Sequence, residues 1–86
     1  MKKTTVTIGG PVGLHARPAA DFVRAAEQFR SEVWVIKDGM RVNGKSILAL
    51  LTLAAERGSS VVLEADGSDE GEAVVALKVK LESNDT

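Results

Sequence analysis

The feature that most limits the fold of this 86-residue chain is a change of hydrophobic period along it. In residues 4–8, Val6 and Ile8 alternate with threonines, and this period of two is typical of a half-buried strand. In residues 16–30 the apolar side chains recur every three or four positions, which predicts an amphipathic helix. A chain that alternates between these periods is expected to pack helices against a sheet.

Turn residues place the other boundaries. Asp38-Gly39 favours a hairpin, Asn43-Gly44 favours a second turn, and Ser46 stands where the N-cap of a helix is expected. The elements separated by these turns are predicted as strands at residues 32–37, 40–42 and 61–65 and as a helix at residues 47–55.

The last segment, residues 69–83, is ambiguous by period. Its leucines and valines fit either a strand or a helix, although Asp69 and Glu72 have the spacing of a capping box that would start a helix. The order is therefore β-α-β-β-α-β with a final element that the residues alone leave open. We expect an α+β two-layer sandwich that forms one domain over residues 1–86.

Composition excludes several classes of function. The formal net charge of −1 argues against nucleic-acid binding, which needs clustered lysine and arginine. Without cysteine, and with one histidine, the chain offers no ordinary zinc site, and neither a metal nor a cofactor is expected. No apolar run reaches the ~20 residues of a membrane span, and the first residues lack an apolar signal core. We therefore expect a cytoplasmic protein that does not insert into membranes.

The single histidine, His15, lies where the first helix is expected to start. The amides and dipole of a helix N-terminus attract anions and favour neutral imidazole, whose free nitrogen is a nucleophile. Arg17 adds a guanidinium that can fork onto phosphate oxygens. This pattern indicates a site that accepts a phosphoryl group, but the spacing alone also fits an ordinary polar helix start with a solvated arginine.

A second phosphate-binding pattern spans Gly39 to Ser46, with the spacing of a P-loop. A P-loop joins a buried parallel strand to a helix, whereas Asp38-Gly39 is expected to turn between short antiparallel strands. The context therefore argues against nucleotide binding there.

Two motifs carry a family resemblance: GLHARPAA at residues 13–20 and NGKSILALLTLA at residues 43–54. They resemble HPr, the histidine-containing phosphocarrier family of the bacterial sugar phosphotransferase system, and the likeness covers residues 3–83. The resemblance implies an open-faced sandwich of four antiparallel strands with three helices on one face, so that the last segment is a helix. It also implies a carrier rather than a turnover enzyme: enzyme I, charged by phosphoenolpyruvate, donates the phosphoryl group and an enzyme IIA domain receives it.

The resemblance implies roles for individual residues. His15 would accept the phosphoryl group through its Nδ1 atom, Arg17 would steady it, and the amides of Ala16 and Arg17 would help to receive it. Ser46 matches a regulatory serine that an ATP-dependent HPr kinase phosphorylates in many Gram-positive relatives, although it also fits a plain N-cap. The residues expected to dock partners are Ala20, Lys45, Ile47, Leu48 and Leu51.

Three other readings of the function remain open at this stage. The chain fits a nitrogen-type paralogue of the carrier, a regulatory module that docks transcriptional regulators through Ser46, or a small ligand-binding domain. The last of these predicts no acid-labile phosphate on His15.

The chain departs from the family pattern at several positions. Val12 replaces a hydroxyl or amide side chain that is common before the active-site motif, and Ala54-Ala55 replaces a glycine-containing pair, which we expect to extend the second helix. A register that turns residues 33, 35, 61, 63 and 65 inward sends Trp34, Ile36 and Val62 outward. These three are either a weak dimer contact of an otherwise monomeric protein or scattered surface hydrophobes.

Overall fold

The computed structural model describes residues 1–83, so residues 84–86 of the predicted domain lie outside the described part. Strands and helices follow the order β-α-β-β-α-β-α, with the last segment a helix. The elements are β1 (Lys2–Thr7), α1 (Ala16–Ala26), β2 (Glu32–Lys37), β3 (Met40–Asn43), α2 (Ile47–Thr52), β4 (Ser60–Asp66) and α3 (Glu70–Glu82).

The four strands form one antiparallel sheet in the order β1-β4-β2-β3. Leu63 at the middle of β4 pairs with Thr4 on one side and with Val35 on the other. The predicted register is confirmed, because the five residues expected to face inward are fully buried: Val33, Val35, Val61, Leu63 and Ala65.

The three helices cover one face of the sheet and supply the other half of the core. The buried residues of α1 recur at helical spacing, and α2 contributes Leu50. The helical residues buried in α1 and α3 are Pro18, Ala19, Phe22, Val23, Ala26, Ala73, Leu77 and Leu81. α3 packs on β1 and β4, α2 packs on β3, and α1 lies between the two other helices. The sandwich thus has α2 and α3 at opposite edges of its sheet.

The first helix is shorter than its hydrophobic period predicts. α1 stops at Ala26 rather than at residue 30, because the amides of Gln28 and Phe29 turn to carbonyls three residues back, at 3.1 Å each. Phe29 still packs against the core from the turn, which explains why the apolar period runs past the helix. β1 also begins and ends earlier than predicted, at Lys2 and Thr7.

The expectation that Ala54-Ala55 extends α2 is wrong. The helix ends at Thr52 with Leu53 as its C-cap, and Ala54 has a left-handed backbone with φ +50°. That conformation reverses the chain after the helix, and buried Ala55 follows in the turn. The residue after the helix therefore adopts a glycine-like conformation although it is alanine.

The proposed capping box at the start of α3 is also wrong. Asp69 is the N-cap residue, but its side chain makes no capping hydrogen bond. Its carboxylate instead accepts hydrogen bonds from the hydroxyl of Ser31 at 2.6 Å and from the amides of Ser31 and Arg30 at 3.0 and 2.9 Å. Ser31 is fully buried, so its polar atoms need a partner there, and they take the carboxylate that would otherwise cap the helix.

Candidate functional site

The segment that leads into α1 is fixed by the turn that follows α2. Gly13 has a positive φ of +85°, and a Cβ added to it would lie 2.7 Å from both the carbonyl oxygen of Ala55 and the amide of Arg57. The next residue, Leu14, donates its amide to that same carbonyl at 2.8 Å. Only glycine fits this close approach. The backbone immediately before His15 is therefore packed against residues 55–57, in the turn after α2.

His15 is the N-cap residue of α1, with extended backbone angles of φ −101° and ψ −169°. Its carbonyl accepts the amide of Ala19 at 2.9 Å, but its side chain makes no capping hydrogen bond. The residue is half-buried. The imidazole therefore stands at the helix start without being used to hold the helix together.

The first turn of α1 leaves two backbone amides directed out of the helix. The first amides of any helix lack intrahelical acceptors. Pro18 has no amide hydrogen, and the amide of Ala19 is already bonded to His15, so the remaining donors are those of Ala16 and Arg17. Arg17 is exposed and forms no ion pair within residues 1–83. Two amides, one guanidinium and one imidazole thus belong to three consecutive residues.

Val12 lies on the loop before this site and is 65% exposed. Its side chain offers neither a donor nor an acceptor, so within this stretch the polar contacts to an anion come from the backbone and from Arg17.

Ser46 is the N-cap of α2, as the sequence predicts. Its Oγ accepts the amide of Ala49 at 3.2 Å, and its carbonyl accepts the amide of Leu50 at 3.0 Å. The side chain is half-buried. The hydroxyl therefore has a structural partner, independent of any chemistry that it undergoes.

His15 and Ser46 lie at opposite ends of the paired helices. The Nζ of Lys45 donates to the carbonyl of Phe29 at 2.9 Å, just beyond the C-terminal end of α1. The other end of α2 leads to Ala55, which is bonded to Leu14 beside the start of α1. The two helices therefore run in opposite directions.

The residues expected to dock partners differ in exposure. Leu48 is 78% exposed and Ile47 is 39% exposed, whereas Leu51 and Ala20 are half-buried and Leu51 packs against the core. α2 thus buries one apolar side and presents another to solvent. Lys45 is half-buried by its contact with Phe29, which sequence reasoning missed because the two residues are 16 positions apart.

Residues 1–83 contain no group of three histidine, cysteine or carboxylate side chains placed to hold a metal ion. None of the helices in this part of the chain is long and apolar enough to cross a membrane.

Comparison with known proteins gives consistent matches over almost the whole chain. The family model described as PTS HPr component phosphorylation site matches residues 2–83. The phosphocarrier protein HPr of Neisseria meningitidis serogroup A is 52% identical over 77 residues, which cover 90% of this chain and 86% of that protein.

Two solved structures show the same fold. A phosphocarrier protein HPr from Bacillus anthracis superimposes with a TM-score of 0.91 at 38% identity, covering 94% of this chain and 96% of that one. Crh of Bacillus subtilis, described as a catabolite repression protein with a swapped domain in a dimer, gives a TM-score of 0.80 at 42% identity, covering 100% and 99% of the two chains.

Proposed function

Because this chain belongs to the HPr family of phosphocarriers of the phosphotransferase system, we propose that it carries a phosphoryl group on His15, taken from enzyme I and passed to an enzyme IIA domain. The observation that carries this proposal is the uncommitted imidazole at the start of α1, which makes no capping bond. The carrier acts as one domain in the cytoplasm and serves as a covalent intermediate rather than as a turnover enzyme.

The transfer uses the Nδ1 lone pair of neutral His15. That lone pair attacks phosphorus, the bond from phosphorus to the donor breaks, and its electron pair returns to the donor. The amides of Ala16 and Arg17 and the Arg17 guanidinium receive the phosphoryl oxygens. Passing the group to enzyme IIA repeats the exchange with His15 as the leaving group.

A carrier must release its phosphoryl group as readily as it accepts it. Two main-chain donors and one exposed arginine hold an anion less firmly than a buried cage would, because solvent screens the guanidinium. The loss of a third amide at Pro18 and of a side-chain donor at Val12 both limit how strongly the phosphorylated form is stabilised.

Partner docking is assigned to the exposed side of α2 and the adjoining surface of α1. Ile47 and Leu48 supply exposed apolar area, with Leu51 and Ala20 beside them. Burial of apolar surface is non-directional, which suits a carrier that must bind a donor and an unrelated acceptor in turn. Lys45 adds a positive charge beyond the C-terminal end of α1, where its Nζ donates to the carbonyl of Phe29.

The deciding experiment is incubation with phosphoenolpyruvate and enzyme I, followed by intact-mass measurement. We expect the mass of one phosphoryl group to be added, to be lost in acid, and to be absent in His15→Ala. Arg17→Ala should still be phosphorylated, at a lower rate. An unchanged mass, with an enzyme I that charges another HPr in the same assay, would reject the proposal. If a donor of the nitrogen-type branch phosphorylates the chain faster than enzyme I does, the chain belongs to that branch instead.

A second function, regulation through Ser46, is supported by the likeness to Crh and by the position of Ser46 at the N-cap of α2. An HPr kinase with ATP should then phosphorylate Ser46, and the modified chain should bind a transcriptional regulator. Ser46→Asn is the matched control because asparagine keeps the cap but accepts no phosphate. If the mass of the wild-type protein, like that of S46N, is the same before and after treatment with an active kinase, Ser46 has no regulatory role.

A further inference from the structure

The outer side of α3 carries an apolar stripe that the core does not use. Val75 and Val79, one helical turn apart, are 69% and 56% exposed, while Ala73, Leu77 and Leu81 on the opposite side are buried. Exposed valine is unfavourable on a free helix surface, both for its contact with water and for its modest helix propensity. α3 thus has two apolar sides, of which the sheet covers one.

The outward side chains of the sheet do not form a comparable surface. Trp34, Ile36 and Val62 are all half-buried. The guanidinium of Arg41 lies 3.9 Å from the centre of the Trp34 ring, and its Nε lies 3.3 Å from the Oε1 of Glu64. Arg41 therefore covers the Trp34 ring, and all three side chains are partly shielded from solvent, which weakens the sequence-based hypothesis of a dimer contact there.

Charges at the two ends of the α3 stripe are complementary to each other. Glu72 and Lys80 are exposed and, within residues 1–83, take part in no ion pair. They lie eight residues apart, about 12 Å along the helix, with Ala76 midway on the same ridge. A second α3 laid antiparallel about a two-fold axis near Ala76 would bring each Glu72 level with the other Lys80, and the two Val75 residues, each about 1.5 Å along the helix from the axis, would meet at its centre.

We propose that the outer side of α3 (Glu72, Val75, Ala76, Val79 and Lys80) is a surface on which a second copy of this chain docks, antiparallel and two-fold symmetric. One helix pair buries less than the ~800 Å² per partner of a standard interface, so the association is weak and concentration-dependent. α3 sits over β1 and β4 and α2 over β3, at the other edge of the sheet. The paired form therefore leaves the exposed side of α2 open.

Sedimentation equilibrium at low ionic strength tests this surface. From roughly 10 μM to roughly 1 mM, we expect the average mass to rise above the 9.1 kDa of one chain. Glu72→Lys and Lys80→Glu should each weaken association about tenfold, because each creates two like-charge contacts across the two-fold axis. An equimolar mixture of the two variants should restore it, since every contact in the mixed pair is again complementary. Val75→Asn should abolish association, and Met40→Gln, another exposed apolar position, should leave it unchanged.

Three results would overturn the proposal: a constant mass near 9.1 kDa at all concentrations, single charge variants that associate like wild type, or a mixture no stronger than either variant alone. Loss of association in Leu48→Gln but not in Val75→Asn would move the contact to α2 and also reject it. Glu72→Lys should accept phosphate from enzyme I at the wild-type rate, so the outcome is separable from the phosphocarrier function.

Discussion

Ala54 is the residue whose backbone the sequence predicts least well and on which the site depends. Its φ of +50° lies in the left-handed region, where an alanine Cβ is strained. The turn that it starts brings the carbonyl of Ala55 to the amide of Leu14, next to His15. The alanine pair thus retains the chain reversal expected of a glycine, at a cost in backbone strain.

Replacing Ala54 with glycine should therefore stabilise the protein. We expect the free energy of unfolding to rise by about 0.5–1 kcal/mol, because the relief of left-handed strain exceeds the entropy that glycine adds to the unfolded chain. Urea unfolding measures the change. Ala76→Gly, in the exposed middle of α3, is the matched control and should lower stability by about 1 kcal/mol. A loss of stability in Ala54→Gly would contradict the strain argument.

For individual residues, the sequence predicts conformations that adjacent residues determine, such as a helix cap. It does not predict contacts between segments that are far apart along the chain. The N-cap position of Ser46 follows from its place before an apolar run. The contact of Lys45 with Phe29 and the close approach of Gly13 to residues 55–57 join segments far apart in sequence. The helix-start position of His15 was thus predictable, but the support behind it was not.

Among the elements, the start of α3 is joined to the start of β2 by Asp69. Hydrogen bonds from the Ser31 hydroxyl and from the amides of Arg30 and Ser31 hold the pKa of the Asp69 carboxyl below its ordinary value. Gly67 lies against the same serine, where a Cβ would be 2.6 Å from the Ser31 Cα. This connection spans 38 residues of chain and fixes where the last helix begins.

The lowered pKa predicts a loss of stability in acid. A carboxyl whose pKa is lower in the folded than in the unfolded state stabilises the fold above its ordinary pKa of 3.8. That contribution declines as the pH falls below this value and through the folded pKa. Asp69→Asn should be less stable than wild type at pH 7 and lose less stability between pH 5 and pH 2, as measured by urea unfolding at each pH. Parallel pH profiles for the two proteins would show that Asp69 is not the responsible group.

The ambiguity of the last element has a cause in the structure. A helix buried on one side and solvated on the other shows a clear helical period, but α3 carries Val75 and Val79 on its outer side as well. The added valines obscure that period and imitate strand alternation. The positions of β2 and β3 were predicted more closely, because the turn pair Asp38-Gly39 separates these two strands.

At the scale of the whole molecule, stability depends on a single core shared by the sheet and the three helices. Leu63 is fully buried on β4, the strand between β1 and β2. A chain of this length has only about 4–13 kcal/mol of total stability, so one cavity at this position consumes a large share of it.

Leu63→Ala should lower the free energy of unfolding by about 3 kcal/mol, because truncation leaves a cavity that strands on both sides prevent from closing. Leu48→Ala, at a side chain 78% exposed, should change it by less than about 0.5 kcal/mol. Urea unfolding of both variants provides the measurement. Similar losses in the two would mean that burial in the sheet does not control stability.

The two candidate phosphorylation positions belong to different helix starts. His15 is the N-cap of α1 and Ser46 is the N-cap of α2, so a phosphate on either residue would lie at the start of its own helix, where the dipole favours negative charge. A partner that senses both modifications therefore has to contact the starts of both helices.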